Sequence, residues 1–128
     1  TNSNINTAVE AWCDDESSAR LTYGDITTWD TSNVTNMYRL FYYETSCNPD
    51  ISSWDVGAVK TMNGMFYSAR AFNQYLGSWD VSAVTSMYFM FYDAEAFNQD
   101  LSLWNVSLVT DMQYMFCSTE AFNQDIST

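Results

Sequence analysis

Counting back in steps of 25 from Trp104 lands on Trp79, Trp54 and Trp29. The same step carries Val109 to Val84, Val59 and Val34, Met112 to Met87, Met62 and Met37, and Phe116 to Phe91, Phe66 and Phe41. No insertion breaks the register. A strict period of this length restricts the chain to architectures in which each unit buries its apolar residues against the next, because one unit is too short to enclose a core alone. The expected fold is therefore an α/β repeat solenoid.

Within a unit the apolar positions run Leu101-x-x-Trp104-x-Val106-x-x-Val109. That is close to leucine-rich-repeat spacing, so leucine-rich-repeat-like coils are expected, each with a short parallel strand and a short helix per 25-residue repeat. Alternation at Trp104, Asn105 and Val106 predicts a strand with Asn105 outward, and its equivalents centre on Asp30, Asp55 and Asp80. An alternative frame puts the strand at Val-Thr-x-Met. Val109, Met112, Met115 and Phe116 have helical spacing, and Ser82 and Ser107 are placed to cap such helices.

Residues 1–24 do not fit the repeat. Ile5, Ala8, Val9 and Trp12 lie on one face of a helix, with Asn4 as N-cap and an end near Cys13. Asp15 or Ser17 caps a second helical turn through Ala19, and Gly24 stops it. The segment reads as an N-terminal helical cap that turns Trp12 onto the first repeat, and residues 25–128 read as about four solenoid repeats. The last coil is incomplete: the period would place a Trp immediately after Thr128, so the native polypeptide is expected to continue.

Acidic residues number 16 against 4 basic ones, with no His, for a net charge of -12. Nucleic acid and anionic membranes are thus poor partners, and no apolar run is long enough to span a bilayer. Neither a CxxC nor a His is present to build a zinc site.

The string Phe97-Asn98-Gln99-Asp100-Leu101-Ser102-x-Trp104-x-Val106-Ser107-x-Val109-Thr110-x-Met112-x-x-Met115-Phe116 resembles the BspA-type surface-protein repeat, a leucine-rich-repeat relative of bacterial surface lipoproteins and marine algae. The cap resembles the algal form through Ala8-Val9-x-x-Trp12-Cys13 and Tyr23-Gly24-x-Ile26-x-x-Trp29-Asp30. Departures are Tyr75 for the Asp of Asn-Gln-Asp and Asn105 for the Asp after Trp. The resemblance implies an extracellular or cell-surface location and roles in adhesion or interaction.

Several residues are candidates for function. Cys47 stands in the column of Phe72, Phe97 and Phe122, and Cys13 ends the cap helix beneath it; the pair reads either as a disulfide or as two buried thiols. Cys117, in the column of Tyr42, Tyr67 and Tyr92, has no evident partner. Asp30, Asp55 and Asp80 stack at one position, where they either bond their own turns or accept a calcium ion, the one cofactor the sequence suggests. Asn33-Val34-Thr35 and Asn105-Val106-Ser107 are glycosylation sequons. Tyr42, Tyr67 and Tyr92 are too numerous, with their neighbours, to be buried together, and so are interaction candidates.

No nucleophile, base and asymmetric acid come together in the repeats. The expected function is thus a non-enzymatic extracellular structural or adhesive protein, as a subunit of a self-assembling surface fibre. The alternative is a monomeric recognition module that binds a glycan or protein on its ladder face, with or without calcium.

Overall fold

The computed structural model describes residues 1–127. Thr128, the last residue of the expected repeat region, lies outside the described residues. All regular elements lie near the N-terminus: α1 (Ile5–Asp14), α2 (Glu16–Tyr23) and a 3-10 turn, Ile26–Thr28.

The stripe Ile5, Ala8, Val9 and Trp12 is buried, as amphipathic spacing requires. Trp12 meets the edge of Trp29 at 5.9 Å, which sets α1 on the first repeat. Asn4 does not cap α1; its Oδ1 accepts instead from the Thr1 amino group and hydroxyl at 3.1 and 2.9 Å. Asp15 does cap α2, accepting from the Ser18 N–H at 3.1 Å, and Gly24 ends that helix at φ 77. The helix runs on past Ala19 to Tyr23, a turn longer than its weak apolar pattern suggests.

The α/β solenoid expected from the spacing is not what the chain builds. Among the described residues there is no strand, and no helix follows Thr28. Among the described residues the stretches around Asp30, Asp55 and Asp80 pair with nothing as strands. A file of isolated parallel bridges, Asn36 to Thr61 to Ser86 to Asp111, falls in the alternative Val-Thr-x-Met frame, and each bridge is one residue long. The Met-x-x-Met-Phe spacing read as helical is a run of turns: Leu40 N donates to Met37 O, Tyr42 N to Arg39 O and Glu44 N to Phe41 O. Ser82 and Ser107 cap no helix; their N–H groups donate to the side chains of Asp80 and Asn105.

Backbone handedness explains the difference. Arg39, Gly64, Phe89 and Tyr114 share one repeat position and have φ of 54, 59, 56 and 57. Tyr43, Ser68, Asp93 and Ser118, four positions on, have φ of 62, 53, 55 and 59. A left-handed residue interrupts a helix and a strand alike. Between these residues the N–H groups of Met37, Arg39, Phe41 and Tyr43 all point one way, onto the carbonyls of Thr61, Asn63, Met65 and Tyr67 at 2.8–3.0 Å. Met62, Gly64, Phe66 and Ser68 repeat this onto Ser86, Tyr88, Met90 and Tyr92. Successive units are thus joined by backbone bonds in register, most of them donated forward across these turns, while Lys60, Thr85 and Thr110 donate back to Thr35, Lys60 and Thr85.

Side chains complete the join. The indole N–H of Trp54, Trp79 and Trp104 donates to the buried carbonyl of Ile26, Ile51 and Leu76 respectively, at 2.9, 3.2 and 2.9 Å. Each Trp therefore buries its ring without leaving its polar atom unpaired. Phe41, Phe66, Phe91 and Phe116 stack in file at 5.3–5.6 Å, interlocked with Phe72, Phe97 and Phe122. The apolar columns of the sequence are this core.

Candidate interaction surface

The left-handed turns carry an aromatic face. Tyr42 lies 5.0 Å from Tyr67, and Tyr67 stacks on Tyr92 at 4.7 Å. Tyr38, Tyr43 and Tyr114 are 47%, 56% and 58% exposed, although aromatic rings gain most from burial. Crowding by other rings raises the Tyr67 hydroxyl pKa, chiefly through desolvation and secondarily through Tyr43, Tyr92 and Tyr42. Cys117 follows Tyr92 in the same column and is an exposed free thiol. The structure therefore brings Tyr42, Tyr67, Tyr92 and Cys117 onto one face.

The sequence reading missed the residues that shape this face. Gly64 occupies the position filled by Arg39, Phe89 and Tyr114 in the other units, so the file of large side chains is broken there. The gap is a groove of about 380 Å³, lined by Asn63, Gly64 and Tyr67 of that unit, by Tyr38, Arg39 and Tyr42 of the unit before and by Tyr88 and Phe89 of the unit after. The Arg39 guanidinium sits over the rings of Tyr42 and Tyr38, 4.4 and 5.1 Å from their centroids. Arg20 is held by Glu16 and Asp25, and Arg70 by Asp93 and Glu95; among the described residues no carboxylate pairs with Arg39. Only the lone Gly in an otherwise bulky column signalled the groove in the sequence.

The acidic columns are engaged locally. Asp30 accepts from the Ser32 hydroxyl and N–H at 2.6 and 3.1 Å, Asp55 from Gly57 N at 3.0 Å, and Asp80 from Ser82 N at 3.0 Å. Asp50 and Asp125 repeat the bond to the serine two residues on. Among the described residues no group of three or more His, Cys, Asp or Glu is gathered closely enough to hold a metal ion. The stacked position is thus a row of turn-forming side chains, with each carboxylate pointed at its own backbone.

These bonds depress the carboxyl pKa of Asp30, Asp50 and Asp125, first through the serine hydroxyl and then through its N–H. A depressed folded pKa stabilises above the unfolded value, about 3.9 for Asp, and that stability is lost as pH falls through the folded value. Glu44 runs the other way: burial, then Asp14 and Glu10, push its pKa up. Its ionisation weakens the fold once pH exceeds the unfolded value, about 4.3. Thermal melting across pH 3–7 should therefore show two opposing slopes. Glu44→Gln should raise the melting temperature at pH 7 and leave it unchanged at pH 3; an equal change at both would remove charge as the cause.

Asn48, Asn73, Asn98 and Asn123 supply a second structural file. The Oδ1 of each of the first three accepts the backbone N–H of the next Asn at 2.9–3.0 Å. The following Gln74, Gln99 and Gln124 donate back to the carbonyls of Asn48, Asn73 and Asn98. The Phe-Asn-Gln motif is thus a latch between units. Where Tyr75 replaces Asp, its ring lies on Gly77, whose added Cβ would meet that ring at 2.7 Å. Ser52, Ser102 and Ser127 hold the place of Gly77 in other units, so Tyr75 and Gly77 belong together. Asn33 and Asn105 are both exposed; Asn105 also accepts from Ser107 N at 3.1 Å.

Cys13 and Cys47 form a disulfide with their Cα atoms 5.3 Å apart, joining the end of α1 to the first repeat. At the other end of α1, the Asn2 side chain accepts from the N–H of Thr35 at 2.9 Å.

The molecule is a stack of turn-built repeats beneath a helical lid, with an aromatic face along one side. It belongs to the family described as Mycoplasma protein of unknown function, DUF285, whose profile matches residues 3–128. That family is repeat-containing and related to BspA-like surface repeats. No curated protein and no solved structure matches the chain. Among the described residues no helix is long and apolar enough to cross a membrane.

Proposed function

We propose that the protein is a non-enzymatic recognition and adhesion module of an extracellular or cell-surface protein, of the BspA-like kind, working through its aromatic face. The observation that carries this reading is the residue choice at the left-handed positions. Such a backbone favours glycine, and one unit uses Gly64 there. The other units place Arg39, Phe89 and Tyr114 at the same φ, large side chains that carry strain of about 1–2 kcal/mol each. Arg39 and Tyr114 are exposed, and Phe89 is half-buried with Tyr88 at 4.1 Å and Tyr114 at 5.1 Å, so contacts within the face offset the strain only in part. A binding surface accounts for the rest. The disulfide supports an oxidising setting, and the acidic charge supports a solvated exterior.

Separate effects on stability and adhesion test the reading. Tyr114→Gly, combined with Phe89→Gly, relieves two left-handed side chains and removes their ring contacts, and should leave the fold within about 1 kcal/mol of the parent. The same double variant should lose most binding of the fluorescently labelled protein to cell surfaces. Loss of stability with binding intact would make the rings structural and sink the proposal.

A further inference from the structure

We infer that the groove over Gly64 is a binding site for a glycan carrying an isolated carboxylate, such as one uronic acid among neutral sugars. The inference rests on the recognition reading above and names its ligand.

The groove offers no backbone to a ligand. Arg39 N is given to Asn63 O at 3.0 Å, and Gly64 N to Tyr88 O at 2.8 Å, so the ladder across the groove is internally paired. A peptide binding by strand addition would find no main-chain partner there. What remains is ring faces and side-chain donors. Tyr38, Tyr42, Tyr67, Tyr88 and Phe89 line the groove with aromatic carbon, suited to pack against the apolar C–H groups of a pyranose. The Oδ1 of Asn63 is occupied by Ser86 Oγ and Tyr88 N, leaving its amide donors for a hydroxyl oxygen.

Charge fixes the remaining feature. In a chain of net charge -12, Arg39 is the arginine that no carboxylate pairs with among the described residues. Its guanidinium is held against Tyr42 at 4.4 Å, which orders it before any ligand arrives. An ordered, unpaired guanidinium presents a donor fork that matches a planar carboxylate. The surrounding acidity disfavours a densely charged polyanion, which would meet repulsion over a Debye length of about 8 Å at physiological salt. A single carboxylate among neutral sugars satisfies Arg39 without that repulsion.

The site also predicts its own blocking variant. A Cβ at Gly64 would lie 3.4 Å from Arg39 Cγ and 3.8 Å from Tyr67 Cβ, ordinary contact distances. The next unit already places Phe89 at this position and handedness. Gly64→Phe therefore fills the groove with a residue the fold accommodates.

The experiment is titration calorimetry of the intact protein with a glucuronate–hexose disaccharide and with its carboxyl-reduced form. The wild type should bind the first at least tenfold more tightly than the second. Gly64→Phe should abolish binding of both, with an unchanged circular dichroism spectrum. Arg39→Gln should lose roughly tenfold for the acidic sugar and nothing for the neutral one. Unchanged binding in Gly64→Phe would place the site elsewhere, and equal affinity for the two sugars would overturn the carboxylate; either result refutes the proposal. If neither sugar binds while the labelled protein still adheres to cells through Phe89 and Tyr114, the glycan inference fails and the recognition reading stands. If adhesion also fails, both fall.

Discussion

Phe91→Ala should cost about 3–5 kcal/mol, and the same change one repeat later, Phe116→Ala, less than half of that. The motif around the two residues is nearly identical, so the difference comes from position in the stack alone. Phe91 is fully buried, with Phe97 at 4.1 Å, Phe66 at 5.3 Å, Phe116 at 5.6 Å and Trp104 at 6.4 Å. Its removal opens a cavity between two units that other rings hold apart. Phe116 is partly buried, packed on Phe91 and Phe122, and water can enter the space it vacates. Urea unfolding followed by tryptophan fluorescence measures both. In a one-dimensional array a weakened joint can also divide the cooperative unit, so a second transition or a reduced m-value in Phe91→Ala has the same meaning. Equal losses for the two variants would show that the last unit is covered in solution.

That contrast marks what the sequence made legible. Period, core columns and the buried face of α1 follow from apolar spacing, because only residues that recur in step can be stacked on their counterparts. The conformation within a unit does not follow. Met37, Leu40 and Phe41 have the spacing of a helix face, yet they sit in successive turns, since Arg39 and Tyr43 are left-handed. Nothing in Arg, Tyr, Phe or Ser announces that handedness; Gly64, and more weakly Asp93, have residue types that would. The repetition itself supplies the missing stabilisation. A left-handed residue is costly in isolation, but here its N–H bonds to the carbonyl of the next unit, and that bond is made in each of the first three units. The aromatic surface was partly visible as excess tyrosine, whereas the groove depended on an absent side chain.

The largest effect outside the core should come from the lid. Replacing Cys13 and Cys47 together by alanine should lower stability by roughly 3–4 kcal/mol, because the bridge closes a loop whose free ends would otherwise gain chain entropy. The sequence separation is 34 residues, long enough for that loss to be substantial. The local consequence is specific. α1 is fixed at Asn2 by a hydrogen bond to Thr35 and at Cys13 by the disulfide; between them Val9 and Trp12 are buried in the core that continues into the repeats. Cutting the covalent end leaves Trp12 free to leave Trp29, so the fluorescence of the double variant should change at denaturant concentrations where the repeats remain folded. Cys117→Ala, at an exposed thiol outside the bridge, is the control and should leave the unfolding midpoint unchanged. A double variant within about 0.5 kcal/mol of the parent would mean that the burial of Trp12 and Val9 already confines α1, so that the disulfide adds no further restriction to the unfolded chain.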